Sequence, residues 1–306
     1  MSSWDRRRIA DLAPPERGLW RALGGSDELS VTHAPQSRPQ GFWKLAAIVG
    51  YAMSSQYDDL HTAIGAGLEL PGPVACVALA GSSFHGQRGR PWRGGSDNLF
   101  LTVGFTPQAP IERLIPALTM LPAVTVAETI SKLAPNGGAG IKWVNDILID
   151  GRKVAGVLSA THVQGQTVQS AVLGIGVNIA TTPHVEPTPF VPEVCSLRDV
   201  GLDVDLGTFF NELLECLAIH YRELVARGGG ELLAAYRRLS IIMGQRVRIW
   251  DTDVVGGKSK ETWPEPLAAG VVTRIDADLS LRLAGQPEPV QRGRLALESA
   301  CEALGL

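Results

Sequence analysis

Residues 142–158 (KWVNDILIDGRKVAGVL) restrict the possible folds of this chain more than any other stretch. An apolar run at residues 147–149 is followed by the dipeptide Asp150-Gly151, and a second apolar run begins at Val154. An Asp-Gly pair between two such runs is a strong short-range signal for a β-hairpin, because both residues accept the positive φ angles of a tight turn. The segment therefore predicts two antiparallel strands joined by a two-residue turn.

The same segment carries polar side chains that a hairpin would bring together. Lys142, Asn145 and Asp146 precede the first apolar run, and Lys153 begins the returning strand. Gly156 permits another group to approach the backbone closely. This arrangement favours a binding site for an anion. When the segment is considered alone, a surface hairpin whose charged side chains contact only water explains it equally well.

Length and composition limit the class of protein. The chain has 306 residues, of which 45% are hydrophobic and 19% are charged, so it is long enough for two globular domains. It contains no apolar run long enough to span a membrane, and its N-terminus lacks the apolar core of a secretory signal. We therefore expect a cytoplasmic protein without a membrane partner. The net charge of −3 gives no basic excess for neutralising phosphates, which argues against nucleic acid as a partner.

Cysteine and histidine spacings give no indication of a metal site. The four cysteines are scattered without a metal-binding motif, and no two of the six histidines stand one helical turn apart. Because no secretory signal is evident, Cys76, Cys195, Cys216 and Cys301 are expected to be reduced thiols.

A second polar stretch leads into a predicted strand at residues 99–105. Residues 82–105 contain five glycines and three arginines, Arg88, Arg90 and Arg93. Glycines allow close approach of a ligand to free backbone N–H groups, and guanidinium groups bind phosphate or carboxylate as a fork. A flexible basic loop is the alternative. Trp92 argues against this alternative, because an indole usually packs against another group.

The remaining pattern predicts an α+β chain. Apolar runs predict strands at residues 42–49, 73–80 and 169–179, and helical spacing predicts helices at 57–66, 111–133, 206–226 and 231–240. Prolines 116 and 122 predict a broken start or a kink in the second of these helices. Short strands at 247–250, 269–275, 280–283 and 290–297 predict a small all-β unit. Residues 1–40, with several prolines and little periodicity, predict a loosely packed arm.

Taken in order, these segments resemble the biotin protein ligases. The resemblance rests on the glycine-arginine loop that ends at Trp92, then NLFLTV, KWVNDILIDGRKVAGVL, LGIGVNI and the small β unit, and it spans residues 42–298. It implies a mixed sheet packed with helices at residues 41–240, a catalytic fold shared with lipoate ligases. A small SH3-like β-barrel domain would follow at residues 241–306. The monofunctional form is expected, because the N-terminal arm at residues 1–40 is too short for a DNA-binding winged helix.

The resemblance implies an ATP-dependent ligase. Biotin and ATP, with Mg²⁺, would form biotinyl-5′-AMP, and the biotinyl group would pass to a lysine in the biotin carboxyl carrier domain of a carboxylase. The enzyme would be a monomer or a homodimer. Because a carboxylate must approach a triphosphate, the protein has to supply positive charge. Lys153 matches the family's catalytic lysine, and Arg88 and Arg90 are the other catalytic candidates. Asp146 would lie near the nucleotide and its Mg²⁺, and no protein-bound metal beyond that ion is implied.

The residues expected to bind the substrates follow from the same motif positions. They are Ser54, Ser55, Gln56, His85, Gly86, Gln87, Arg88, Gly89, Arg90, Trp92, Lys142, Trp143, Asn145, Asp146, Lys153, Gly156 and Asn178.

Several positions depart from the family pattern. Gln87 stands where an arginine usually helps to retain the acyl-adenylate, with Arg88 as its candidate substitute, and Gly81 stands where a biotin-contacting glutamine is common. In the β unit, Arg294 and Glu298 exchange the usual acid and arginine, so a contact across that pair would survive with reversed polarity. Two alternatives therefore stay open. One is a ligase of the same fold for lipoate or another acyl acid, and the other is a catalytically idle homologue that binds a carrier protein or an acyl-nucleotide.

Overall fold

The computed structural model of the protein describes residues 5–7, 14–23, 31–33, 41–95, 97–134, 138–254 and 263–306. Within these ranges the strands form two sheets, a large one that precedes a small one along the chain. Of the residues that the sequence marks as functional, Lys142, Asp146, Lys153 and Gly156 lie on strands of the large sheet, and most of the others lie in the loops beside it.

The strands of the large sheet are β1 (Asp5–Arg7), β2 (Val31–His33), β3 (Leu45–Val49), β4 (Val74–Ala78), β5 (Leu99–Phe105), β6 (Ala109–Pro110), β7 (Ala139–Lys142), β8 (Asp146–Ile149), β9 (Arg152–Gln164) and β10 (Thr167–Val177). The sheet is mixed and has the strand order β1-β2-β3-β4-β5-β10-β9-β8-β7, with β6 paired to β10. Strands β3 and β4 are parallel, and helix α2 (Gln56–Gly65) makes the crossover between them. The other strand pairs described in this sheet are antiparallel.

Alternating side chains give this sheet two apolar faces. In β3, Ala46 packs in the cluster that contains helices α3 (Ile111–Leu133) and α4 (Leu206–Arg227). Leu45, Ala47 and Val49 point to the opposite face, where they pack with helix α1 (Pro14–Ala22) and α2. Because helices cover both faces, the central strands are almost continuous apolar runs in the sequence. Helix α5 (Gly230–Leu239) packs beside α3 and α4.

Helix α3 is continuous from Ile111 to Leu133, so no break occurs at Pro116 or Pro122, and the predicted kink stays a prediction. Most of its side chains between Leu114 and Ile130 are buried, and this packing outweighs the backbone hydrogen bonds that the two prolines remove. By length and composition the helix is apolar enough to cross a membrane, but 72% of its most apolar window is buried inside the fold. It therefore serves as the central core helix.

The N-terminal residues pack more firmly than the sequence predicted. Strand β1 pairs with β2, and β2 pairs with β3, so the described part of residues 1–40 extends one edge of the large sheet. Leu19, Trp20 and Leu23 are buried against the face that α2 covers. The prediction of a loosely packed arm was wrong for these residues. A nine-residue helix shows too short an apolar stripe to stand out in sequence, and it is stabilised by tertiary contacts instead.

The small sheet is antiparallel, with the order β13-β12-β11-β14. Its strands are β11 (Arg246–Trp250), β12 (Ala268–Ile275), β13 (Leu281–Leu283) and β14 (Arg294–Leu297), and helix α6 (Glu298–Ala303) follows them. The predicted α+β fold, a mixed sheet packed with helices followed by a small β unit, is confirmed. The domain boundaries at residues 40 and 240 stay predictions.

Candidate active site

Strands β8 and β9 form the hairpin that the sequence predicts. Asp150 and Gly151, with φ angles of 50° and 78°, make the tight turn between them. Asp146 lies opposite Gly156, and Lys153 lies near the start of β9. The Nζ atom of Lys153 is 2.5 Å from Oδ1 of Asp146, and each side chain is only 17% exposed. The hairpin therefore carries a partly buried ion pair rather than separate solvated charges.

Lys142, at the end of β7, brings a second ammonium group towards Asp146. Its side chain is buried, and its Nζ donates a hydrogen bond to the carbonyl of Phe190 at 2.5 Å. Burial lowers the pKa of Lys142 to about 8, although Asp146 opposes the shift. Burial alone would raise the pKa of Asp146, but Lys153 and Lys142 outweigh it and hold that pKa below its usual value. The carboxylate therefore stays ionised between two lysines.

Two guanidinium groups add positive charge from different parts of the chain. Arg90, in the glycine-arginine loop, is near enough to Asp146 to help lower its pKa. Arg294, on β14, lies with its Cζ 3.7 Å from the ring centroid of Phe190 and donates to the carbonyl of Val254. Burial and the neighbouring Arg90 lower the pKa of Arg294 to about 10. Burial is the main cause of this shift, and the smaller contribution of Arg90 shows that the two guanidinium groups lie near each other.

Sequence reasoning missed Arg294 as a site residue. It predicted that Arg294 and Glu298 keep a family contact with reversed polarity. Instead Glu298 accepts two hydrogen bonds from Arg248, at 3.0 and 2.5 Å, while Arg294 faces the cavity. The signal that would have found Arg294 is an arginine at the position where the family usually has an acid.

The glycine-arginine loop lies over strands β9 and β10. The backbone N–H of Trp92 donates to the carbonyl of Phe84 at 2.9 Å, which closes the loop. The indole rests on Gly156 and Gly176, where a Cβ atom at Gly176 would lie 2.7 Å from Cε2 of the ring. The Nζ of Lys153 is 5.3 Å from the indole centroid. Nε1 of Trp92 is buried and has no hydrogen-bond partner among the described residues.

The other predicted residues of the loop have separate anchors. Nε2 of His85 is 2.5 Å from Asp58 in the first turn of α2, and the carbonyl of Gly86 together with this carboxylate raises the pKa of His85. Arg88 has a φ of 57° and forms an ion pair with Asp253, which follows β11. Arg88 also lines the cavity described below, and the catalytic role predicted for it stays a prediction.

The predicted residues before helix α2 make different contacts from one another. Ser55 is the N-cap residue, but its side chain makes no capping hydrogen bond in the described chain. The hydroxyl of Ser54 donates instead to Asp59 at 2.5 Å. Gln56 is buried, and its Nε2 contacts the sulfur of Cys76 at 3.1 Å. Among the described residues no serine hydroxyl therefore caps α2, and the hydroxyl of Ser54 is held by a carboxylate in the first turn of the helix.

Three further predicted residues hold the backbone around the hairpin. Asn178, buried at the end of β10, donates to the carbonyl of Cys195 at 3.1 Å. Its Oδ1 is buried and unpaired with respect to the described residues. Asn145 donates to a carbonyl of β9 at 2.6 Å. The indole of Trp143 donates to the carbonyl of Leu279 at 2.8 Å, which ties the hairpin to the small sheet.

These elements surround a cavity of about 750 Å³. The predicted residues that line it are Ser55, Gln56, His85, Gly86, Gln87, Arg88, Arg90, Trp92, Lys142, Trp143, Asn145, Asp146, Lys153, Gly156 and Asn178. Ser54 and Gly89 lie outside the lining as the structure describes it. Side chains between positions 183 and 194, and residues 291–295 of the small sheet, complete the wall. Sequence reasoning missed these two segments, because only tertiary packing brings them to the cavity.

Comparison with known proteins shows which family this chain belongs to. Residues 67–178 match the model of the Biotin/lipoate A/B protein ligase family. The bifunctional ligase/repressor BirA of Bacillus subtilis is 27% identical over 180 residues, which are 58% of this chain and 55% of BirA. The biotin–acetyl-CoA-carboxylase ligase of Paracoccus denitrificans is 31% identical over 186 residues, which are 58% of this chain and 75% of that ligase. The chain belongs to the biotin protein ligase family.

Solved structures of biotin protein ligases share the fold. The biotin protein ligase from Aquifex aeolicus in complex with biotin and ATP matches 83% of this chain and 99% of its own length, with a TM-score of 0.62. At 17% identity this likeness shows the fold alone. The chain spans just over half the length of the Bacillus BirA proteins that it matches. Its own activity, substrates and partners are therefore inferred from the geometry of the cavity.

Proposed function

We propose that this protein activates biotin with ATP to form biotinyl-5′-AMP and pyrophosphate. It then transfers the biotinyl group to a lysine in the biotin carboxyl carrier domain of a carboxylase. The observation that carries the proposal is the convergence of Lys142, Lys153, Arg90 and Arg294 on one cavity of the ligase fold. Their charge exceeds that of the neighbouring Asp146, and an excess of partly buried cations favours an anionic ligand such as a triphosphate.

The first step joins two anions. A carboxylate oxygen of biotin attacks the α-phosphorus of ATP, and the bond from this phosphorus to the departing pyrophosphate breaks. Lys153, held by its ion pair with Asp146, orients the carboxylate against the phosphate and reduces their repulsion. It acts through its charge and position, not as a nucleophile. Arg90, Lys142 and Arg294 bind the phosphate oxygens and the leaving pyrophosphate.

Asp146 fits a Mg²⁺ ion that arrives with the nucleotide. A carboxylate is a preferred ligand of Mg²⁺, but this one is already close to Lys153 and Lys142. These residues therefore suit an ion held mainly by phosphates rather than by a cage of protein ligands. When bound, Mg²⁺ would neutralise part of the phosphate charge.

The second step transfers the acyl group. The ε-amine of the carrier lysine attacks the acyl carbon, and AMP leaves. The indole of Trp92, on the glycines of β9 and β10, would cover the adenylate and exclude water until the carrier docks. All four cysteines are free thiols, which supports a reducing compartment such as the cytoplasm for this reaction.

The test is pyrophosphate release from the purified chain with ATP and either biotin or lipoate, followed by biotinylation of a recombinant carrier domain. We expect release with biotin, and a loss of roughly 10²–10³-fold in Lys153→Ala. Lys132→Ala, which changes an exposed lysine on α3, is the matched control and should keep full activity. Release with lipoate but not biotin would contradict the biotin assignment. No release with either acid, and no effect of Lys153→Ala on carrier biotinylation, would favour a catalytically idle homologue.

One observation favours lipoate or another apolar acyl acid as a second candidate substrate. At Gly81, where the family commonly has a biotin-contacting glutamine, a Cβ atom would lie 2.5 Å from Cζ of Phe84 and 2.7 Å from the carbonyl oxygen of Ala52. Phe84 instead stacks on Phe100, with centroids 4.3 Å apart, and both line the cavity. An aromatic pair thus stands where a polar contact is usual. The comparison of biotin with lipoate in the pyrophosphate assay decides between the two acids.

A further inference from the structure

A thiol, an imidazole and a carboxylate meet outside the cavity, where α3 and α4 pack together. Cys216 and His220 stand one turn apart on α4, and Glu128 faces them from α3. Their donor atoms all lie within 4.8 Å of one another. Nε2 of His220 is 2.7 Å from Oε2 of Glu128. The sequence search considered cysteine motifs and histidine pairs separately. It therefore missed this group, in which one cysteine and one histidine stand one helical turn apart.

The three groups are sheltered but open to solvent. The side chains of His220 and Glu128 are 16% and 28% exposed, and Cys216 is partly exposed. The ring of His220 contacts the carboxylate of Glu128 and lies close to the thiol of Cys216, so the donor atoms of all three residues can reach one ion.

We propose that Cys216, His220 and Glu128 bind a divalent ion of borderline softness, with Zn²⁺ as the best fit. Thiolate, imidazole and carboxylate are the ligands of tetrahedral zinc sites, and three protein ligands leave the fourth position for water. A thiolate ligand disfavours Mg²⁺ and Ca²⁺, which take oxygen ligands. The lining of the nucleotide cavity does not include these three residues as the structure describes it. The ion would join α3 to α4, the helices that support the sheet from behind.

Arg238, on α5, holds the carboxylate in position. Its Nη2 donates to Oε1 of Glu128 at 2.9 Å, which leaves Oε2 directed at His220. Ligating carboxylates are commonly oriented by an outer hydrogen bond of this kind. Arg238 therefore acts as a positioning residue for the site and not as a ligand.

The test is a titration of the purified full chain with Co²⁺, which replaces Zn²⁺ and gives a charge-transfer absorption band when a thiolate binds it. We expect a band that saturates with a single ion per chain and disappears when Zn²⁺ is added. The band should be absent in Cys216→Ser, and Arg238→Gln should bind roughly 10–100-fold more weakly. Cys301→Ser changes a buried cysteine in α6 and should keep the band.

Two results would overturn the proposal. The first is a wild-type chain that gives no thiolate band at saturating Co²⁺, a result that does not depend on the folding of any variant. The second is a band of unchanged strength in Cys216→Ser, which would place the ion elsewhere. In either case Glu128, His220 and Arg238 form only an ion-pair network between helices. Pyrophosphate release does not enter this test, so the two proposals fail independently.

Discussion

Replacing Lys142 with methionine should stabilise the empty protein at neutral pH and remove its activity. Burial lowers the pKa of Lys142 from 10.5 to about 8, which means that folding disfavours the ammonium form. Since each pKa unit corresponds to about 1.4 kcal/mol, the buried charge costs the fold roughly 3 kcal/mol. Loss of the hydrogen bond to the carbonyl of Phe190 offsets about 1 kcal/mol of this. The expected net gain in the free energy of unfolding is about 2 kcal/mol at pH 7.

The gain should shrink as the pH rises. Below about pH 8 the lysine is charged in both the folded and the unfolded chain, so the whole penalty is present. Between about pH 8 and pH 10.5 the unfolded chain holds the proton more strongly than the folded chain, and the wild type becomes more stable with increasing pH. The advantage of Lys142→Met should therefore disappear within this range, and near its upper end the wild type should be more stable by the lost hydrogen bond, about 1 kcal/mol.

Urea denaturation of wild type and Lys142→Met on either side of this pH range measures the effect. Lys132→Met is the control: its side chain is 62% exposed, so the change should stay below about 1 kcal/mol at both pH values. Pyrophosphate release by Lys142→Met should fall roughly 10²–10³-fold, because the substitution removes one of the cations proposed to bind the phosphates. A variant less stable than wild type at neutral pH, or a difference that does not change with pH, would refute this electrostatic account.

Three further substitutions test the packing and the small sheet. Gly176→Ala should displace the indole of Trp92, change its fluorescence and increase the release of free acyl-adenylate; an unchanged spectrum and unchanged retention would count against the close contact. Arg248→Gln should lower the free energy of unfolding by about 1–2 kcal/mol through loss of the partly buried pair with Glu298, and most of this loss should be absent when Glu298→Gln is already present. Gly140→Ala should lower the free energy of unfolding by about 1–3 kcal/mol in the same denaturation assay, since its Cβ would lie 2.1 Å from Cγ2 of Ile241. An unchanged free energy of unfolding would show that the side chain of Ile241 moves aside freely.

Local signals account for the parts of the fold that could be predicted. The Asp150-Gly151 turn depends on the φ preferences of two residues, so it could be identified without knowing the partner strands. Strand Leu99–Phe105 appeared as an almost continuous apolar run because both faces of the sheet are covered. The motif positions of the family then supplied candidate residues, and the fold brings most of them to one cavity.

Contacts between distant segments could not be predicted from these signals. Arg294 reaches the cavity only because the small sheet packs beside it, and the residues around position 294 do not encode that packing. Arg88 meets Asp253, which is 165 positions away along the chain. The carbonyl of Phe190 that accepts a hydrogen bond from Lys142 belongs to a proline-rich loop without periodicity. In each case tertiary structure determines which charges are neighbours.

Because Arg294 belongs to the small sheet and Arg90 to the large one, a bound triphosphate would connect the two units as a non-covalent cross-link. Nucleotide affinity and the contact between the units are then thermodynamically coupled, and the coupling free energy is the same in both directions. A chain that ends before β11 would lose nucleotide affinity even if its large sheet folded normally. Conversely, the cellular concentration of ATP would set how firmly the small sheet is held against the rest of the protein.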